Sequence, residues 1–248
     1  MRAFAAITTA TLRQLLGGRR TIGLLLMALL PAGVLLALLA GEPDLTAARS
    51  FHEAPLVILM LIVLPVTSLV FGAGALGDER REATLSFLLL RPLPRLALAG
   101  AKLLAAWVAA FAVVGTGAAA LALTLGARTA NWETLGPLLL AAALSTLAYT
   151  GVFLTLGYLT RQAVLLGLVY AFVWESGMTT AVPSLATLSL MRLGLSAYAG
   201  LLPASRRYMG DLLGAVQPGA GGAIAKTVVV AVVAVVATTL LLRHRDIA

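Results

Sequence analysis

Residues 103–127 read LLAAWVAAFAVVGTGAAALALTLGA, twenty-five positions without one charged side chain. At about 1.5 Å per residue such a helix spans the ~30 Å hydrocarbon core of a bilayer. Nothing in the run alternates apolar with polar, so it reads as a helix and not as a barrel strand. The same reading extends in both directions along the chain. Ile22–Gly41, Ala54–Gly77 and Leu135–Thr160 are equally free of charge, Gln162–Val182 is interrupted only by Glu175, and Ala223–Leu242 carries Lys226 near its start. A lysine there can snorkel to the interface. These six runs predict an all-α membrane protein with six transmembrane helices, forming one domain over residues 1–248 with no internal repeat or linker.

Composition agrees. Apolar residues make up 60% of the chain and charged ones 11%, against roughly 25% charged in soluble domains. Absence of cysteine removes disulfides, thiolate metal sites and cysteine nucleophiles together. His52 and His244 match no metal-ligand spacing, so neither metal nor cofactor is expected. The net charge of +8 does not point to nucleic acid, because the basic residues gather at the ends of apolar runs, as in loops facing anionic lipid.

Met1–Arg20 reads as an interfacial helix, with Phe4, Ile7, Leu12, Leu15 and Leu16 apolar and Arg2, Arg13, Arg19 and Arg20 charged. A cleavable signal peptide, or a twin-arginine signal at Arg19-Arg20, would deliver a soluble domain, and five further spans speak against both. With the N-terminus inside, twelve of the 18 arginines and lysines fall on the cytoplasmic side, which predicts both termini in the cytoplasm. A seventh span over Leu185–Ala204 would satisfy the charge rule slightly better, but it would place Arg192 near mid-bilayer. That costs about 2.5–3.5 kcal/mol. The segment is therefore expected to form short helices dipping into the outer leaflet, bounded by Pro183 and Pro203.

Two glycine patterns imitate nucleotide sites. Gly72–Gly77 fits GxGxxG letter for letter, but it ends an apolar run and does not follow a strand. Small residues at that spacing instead let helices approach closely. Gly219–Thr227, GAGGAIAKT, resembles a phosphate loop with Ala225 where the glycine before the lysine is required, and it opens a membrane helix.

The segment Gly77–Trp107, GDERREATLSFLLLRPLPRLALAGAKLLAAW, holds the densest pattern. Asp78 suits a helix N-cap, with Glu79 and Glu82 in the first turn. Leu85, Leu88 and Leu89 share one face, and Pro92 and Pro94 end the helix. Arg91, Arg95 and Lys102 then anchor the third span at the lipid headgroups. The expected product is a short amphipathic helix on the cytoplasmic surface between spans 2 and 3. On this reading Glu79 is solvated, and Glu79→Gln alone is expected to do little.

This segment resembles the first cytoplasmic loop of permease subunits of type-2 ATP-binding-cassette (ABC) exporters. Glu79, Arg80 and Glu82 match the acidic-basic cluster of that family, and Thr84-Leu85 match its turn, with Ala83 where glycine is more usual. Arg91-Pro92 with Arg95 match its Arg-Pro element, and Lys102 its lysine near the third span. The likeness continues through six spans and a Trp174-Glu175 pair in the fifth. It implies a permease that dimerises, with itself or a paralogue, over separately encoded ABC ATPase subunits. The surface helix, residues Asp78 to Arg95 with Leu88 on its apolar face, would couple ATP hydrolysis by the partner to the spans. The chain itself would be no enzyme.

Glu175 is the remaining candidate. It falls about 20 Å along the fifth run, where an ionisable group marks a functional site or closes a local hydrogen-bond network, with Ser176, Thr179, Thr180 or an outer arginine as partner. An ATP-independent channel, scramblase or ion-coupled carrier is the rival class, but no second midplane charge forms a pair with Glu175. An intramembrane enzyme lacks a nucleophile–base pair. The ratio of 16 arginines to 2 lysines suggests a GC-rich bacterial genome, and hence the cytoplasmic membrane of a bacterium. The transported substrate leaves no mark on the sequence.

Overall fold

The computed structural model describes residues 2–41, 47–81, 94–178, 187–209 and 218–244, which form helices and short connections with no strand among them. Helix α1 (Arg2–Leu16) precedes α2 (Arg19–Gly41), and α3 (Ala47–Arg81) runs on beyond the end expected for the second span. Next come α4 (Arg95–Thr129) and α5 (Leu135–Leu159). Then α6 (Ala163–Val169) passes directly into a π-helical stretch, Tyr170–Met178. The short helix α7 (Leu190–Leu201) ends on a 3-10 turn, Pro203–Tyr208, and α8 (Gly219–His244) is the last.

Five helices among the described residues, α2, α3, α4, α5 and α8, are long and apolar enough to cross a membrane. They correspond to five of the six expected spans. The other, Gln162–Val182, is represented by a shorter apolar helix, Ala163–Glu175, and residues 179–182 lie outside the described ones. The seven-span alternative finds no support in α7. Its 12 residues reach only about 18 Å, short of the hydrocarbon core.

Helix α5 is the hub, packed against α3, α4, α7 and α8. Its approach to α3 depends on glycine. A Cβ on Gly157 would stand 2.4 Å from the Ala73 carbonyl oxygen, and one on Gly77 would stand 3.1 Å from that of Gly157. The glycines that imitate a dinucleotide fingerprint thus lie inside α3 and form a packing surface. Pro65 lacks the N–H that an α-helix needs, and the π turn at Leu59–Val63 immediately before it absorbs the mismatch. Helix α1 packs on α4, with Leu15 buried and Ile7, Leu12 and Leu16 partly buried against the core.

The periphery is apolar. In α2 and α8 only 28% and 22% of the most hydrophobic window is buried, leaving Leu26, Leu30, Val229 and Val233 among the exposed side chains. In lipid these faces need no polar cover. At the end of the bundle near the start of α3, His52 is buried. It shares a hydrogen bond with the Tyr198 hydroxyl (3.2 Å) and stacks on Tyr208 at 5.0 Å, so α7 and its 3-10 turn are tied to α3.

Candidate functional site

Asp78, Glu79, Arg80 and Arg81 form the last described turn of α3, and each reaches a different neighbour. Asp78 accepts from Arg20 of α2 at 3.1 Å and pairs with Arg81 at 3.2 Å. Arg80 donates to the Tyr158 carbonyl of α5 at 2.5 Å, with its guanidinium 5.7 Å from the centre of the Tyr158 ring. Glu79 is buried and pairs with Lys102 of α4, which is only 1% exposed. Across the loop, Arg95 donates to the Leu242 carbonyl of α8 at 2.9 Å. The two ends of the 82–93 segment are therefore fastened to α2, α4, α5 and α8.

Three expectations change here. Asp78 lies within α3, because the helix continues through Gly77 without a break, so it does not open a new helix as an N-cap. Lys102 is not at the lipid headgroups: Arg95 opens α4, and two turns further along the lysine faces the bundle, where Glu79 supplies its counter-charge. Glu79 is in consequence a buried charge, for which removal of a partner is costly. Glu79→Gln is therefore expected to cost more than it would at a solvated position. Glu82, Thr84, Leu85, Leu88, Arg91 and Pro92 lie outside the described residues.

Glu175 forms a second polar cluster. Its carboxylate accepts from the Ser189 hydroxyl at 2.5 Å, the Leu190 backbone N–H at 2.8 Å and the Tyr170 hydroxyl at 3.2 Å. The Tyr149 ring meets that of Tyr170 edge-to-face, with centroids 6.3 Å apart. In an α-helix residues five apart diverge by about 140°, whereas the i→i+5 winding of a π-helix brings them together. Tyr170 and Glu175 meet because the chain is π-helical over that stretch.

Ser189 is the N-cap of α7 and accepts from the Arg192 N–H at 3.1 Å. Glu175 thus anchors the N-terminus of α7, where a carboxylate is favoured by the helix dipole and the free N–H groups. Of the partners expected from sequence, Thr179 and Thr180 lie outside the described residues, and Tyr170, Ser189 and Leu190 were not among those expected. Trp174 beside it is half-buried. A π-helix leaves no simple sequence signal, and Tyr149, Tyr170 and Ser189 were for that reason not legible as one site. Among the described residues no group of acidic, histidine or cysteine side chains could hold a metal ion.

A family model described as ABC-2 family transporter protein matches residues 19–193, which include α2 through α6 and both polar clusters. No curated protein matches the chain.

Proposed function

The chain belongs to the ABC-2 family of transporter proteins, and we propose that it is the membrane-spanning permease subunit of an ABC exporter, driven by ATP hydrolysis on a separate ATPase subunit. Membership makes it a multi-pass transporter component and not a catalytic subunit. Beyond that, the proposed assembly has two permease chains, identical or paralogous, over two ATPases in the cytoplasmic membrane of a bacterium. The sixth span is Gln162–Val182, both termini are cytoplasmic, α1 lies at the interface, and residues around α7 dip into the outer leaflet. The exposed apolar faces of α2 and α8 suit lipid or a second permease.

One observation carries the coupling reading. The flanks of the loop expected to dock on the ATPase are bonded to four separate helices, through Arg20, Lys102, Tyr158 and Leu242. A displacement of the loop is therefore delivered to α2, α4, α5 and α8 at once. Within the loop, Leu85 and Leu88 supply the docking face, with Glu82, Thr84, Arg91 and Pro92 shaping it. A buried leucine contributes about 1.5–3 kcal/mol, an exposed charge pair about 0–1 kcal/mol. Leu85→Asp or Leu88→Asp should therefore lower transport per ATP hydrolysed by more than about tenfold at unchanged membrane insertion. Glu82→Gln should change it by no more than a few-fold. If Glu82→Gln were the more damaging, docking would be electrostatic and the apolar face misassigned.

A further inference from the structure

Between α5, the π-helical stretch and α8 runs an apolar groove of about 510 Å³, open on its side and lined by Val152, Leu156, Tyr170, Leu190, Val233 and Ala237 among others. Its size falls within the range of ligand clefts, roughly 300–1,000 Å³. The groove does not end in lipid-like surroundings. Close to it along both α7 and α8 is a polar recess lined by Ser189, Arg192, Ser196 and Lys226. Ser189 precedes the groove residue Leu190 in the chain, and Lys226 stands one turn before Val229 and Val230, which line the groove on α8.

The recess is built for negative charge. Arg192 is 94% buried by its 6% exposure, yet its Nε has no hydrogen-bond partner among the described residues, and neither has the Ser196 hydroxyl. A buried guanidinium N–H left without an acceptor is costly. The nearby carboxylate does not relieve it, since Glu175 is engaged by Tyr170, Ser189 and Leu190. Lys226 is exposed beside it. Two cations and a free hydroxyl converging at one point suit a group with several acceptor oxygens, as a phosphate has. The recess holds only about 10 Å³, room for about one water-sized atom. One oxygen of a phosphate can enter it toward Arg192 while the rest of the group stays outside beside the exposed Lys226, so most of the binding must come from whatever occupies the groove.

We propose that this groove and recess together bind one anionic phospholipid, its phosphate at Arg192 and Lys226 and an acyl chain along α8. The recess lies toward the end of α8 opposite the one bonded to Arg95, and the groove runs from there toward Leu159 and Ala237. It is independent of the ATPase reading and needs no cargo to be assigned.

The test is photo-crosslinking of the purified full-length chain with a phosphatidylglycerol that carries a diazirine in its acyl chain, followed by mapping of the labelled peptides. Labelling is expected on the 229–237 stretch of α8. Unlabelled phosphatidylglycerol should compete about tenfold better than phosphatidylcholine, because both carry the phosphate but the choline cation of the latter would be repelled by Lys226 and Arg192. Inorganic phosphate should not compete. Lys226→Gln, at an exposed position that folding does not depend on, should lower labelling several-fold, and Arg192→Gln should do so wherever it yields folded protein. Equal competition by the two lipids, or unchanged labelling of Lys226→Gln, would overturn the proposal. Displacement by inorganic phosphate at the concentrations at which the lipid competes would instead identify a free-anion site, and the absence of label on α8 would leave the groove to a second copy of the chain. Either result would also refute it.

Discussion

Lys102→Met should be the most damaging single substitution in this chain. The ammonium is buried against the Glu79 carboxylate, and methionine would keep the volume while stranding that carboxylate. Breaking one side of a buried pair costs about 3–5 kcal/mol, a large share of the roughly 5–15 kcal/mol that holds a typical fold together. The expected result is a collapse in the yield of monodisperse protein, seen by size-exclusion chromatography, with a clear drop in thermal midpoint for what remains. Glu79→Gln should do less, because its amide oxygen can still accept from the ammonium. Replacing both partners, as Glu79→Leu with Lys102→Met, should recover much of the loss, since removing a buried pair as a unit is often close to neutral. Wild-type thermal stability of Lys102→Met alone would show that the two groups are not paired in the membrane.

Glu175→Leu should come next. It leaves the Ser189 hydroxyl, the Leu190 N–H and the Tyr170 hydroxyl without their acceptor, and each buried unsatisfied group costs about 1–3 kcal/mol. The N-terminus of α7 would be released, and the amount of folded protein should fall severalfold. Glutamine preserves one carbonyl acceptor, and its amide can donate to the Ser189 oxygen. Transport by Glu175→Gln, normalised to inserted protein and followed across pH, should therefore stay near wild type. Reduced transport by Glu175→Gln at normal expression would mean that the charge itself acts on cargo or a proton, beyond holding α7.

Run length alone made the long spans legible. The apolar stretches from Ile22, Ala54, Leu103, Leu135 and Ala223, of which only the last holds a charge, all became helices long enough to cross a bilayer, because a continuous apolar run leaves few other states open to it. The polar clusters were harder to read for two physical reasons. Helix ends depend on where hydrogen bonding stops, and α3 continues past Gly77 to include Asp78 and Glu79, which rotates both acids onto new neighbours. Lys102 carried a hint of its burial, sitting eight positions beyond Pro94 in an otherwise apolar run, but only the fold shows that Glu79 faces it. Glu175 was legible as an anomaly, whereas its partners were not, since Tyr170 reaches it through π-helical winding and Ser189 through a tertiary contact.

The separation of labour between this permease and an ATPase is tested most directly by measuring vanadate-sensitive ATP hydrolysis in two preparations. One is the sequence-verified chain purified alone; the other is the chain purified together with an ABC ATPase subunit, both in the same lipid. The proposed function predicts no hydrolysis above background by the chain alone, hydrolysis by the pair, and a changed rate in the pair when Leu88 is replaced by aspartate. Robust hydrolysis by the isolated chain, free of any second subunit, would contradict it.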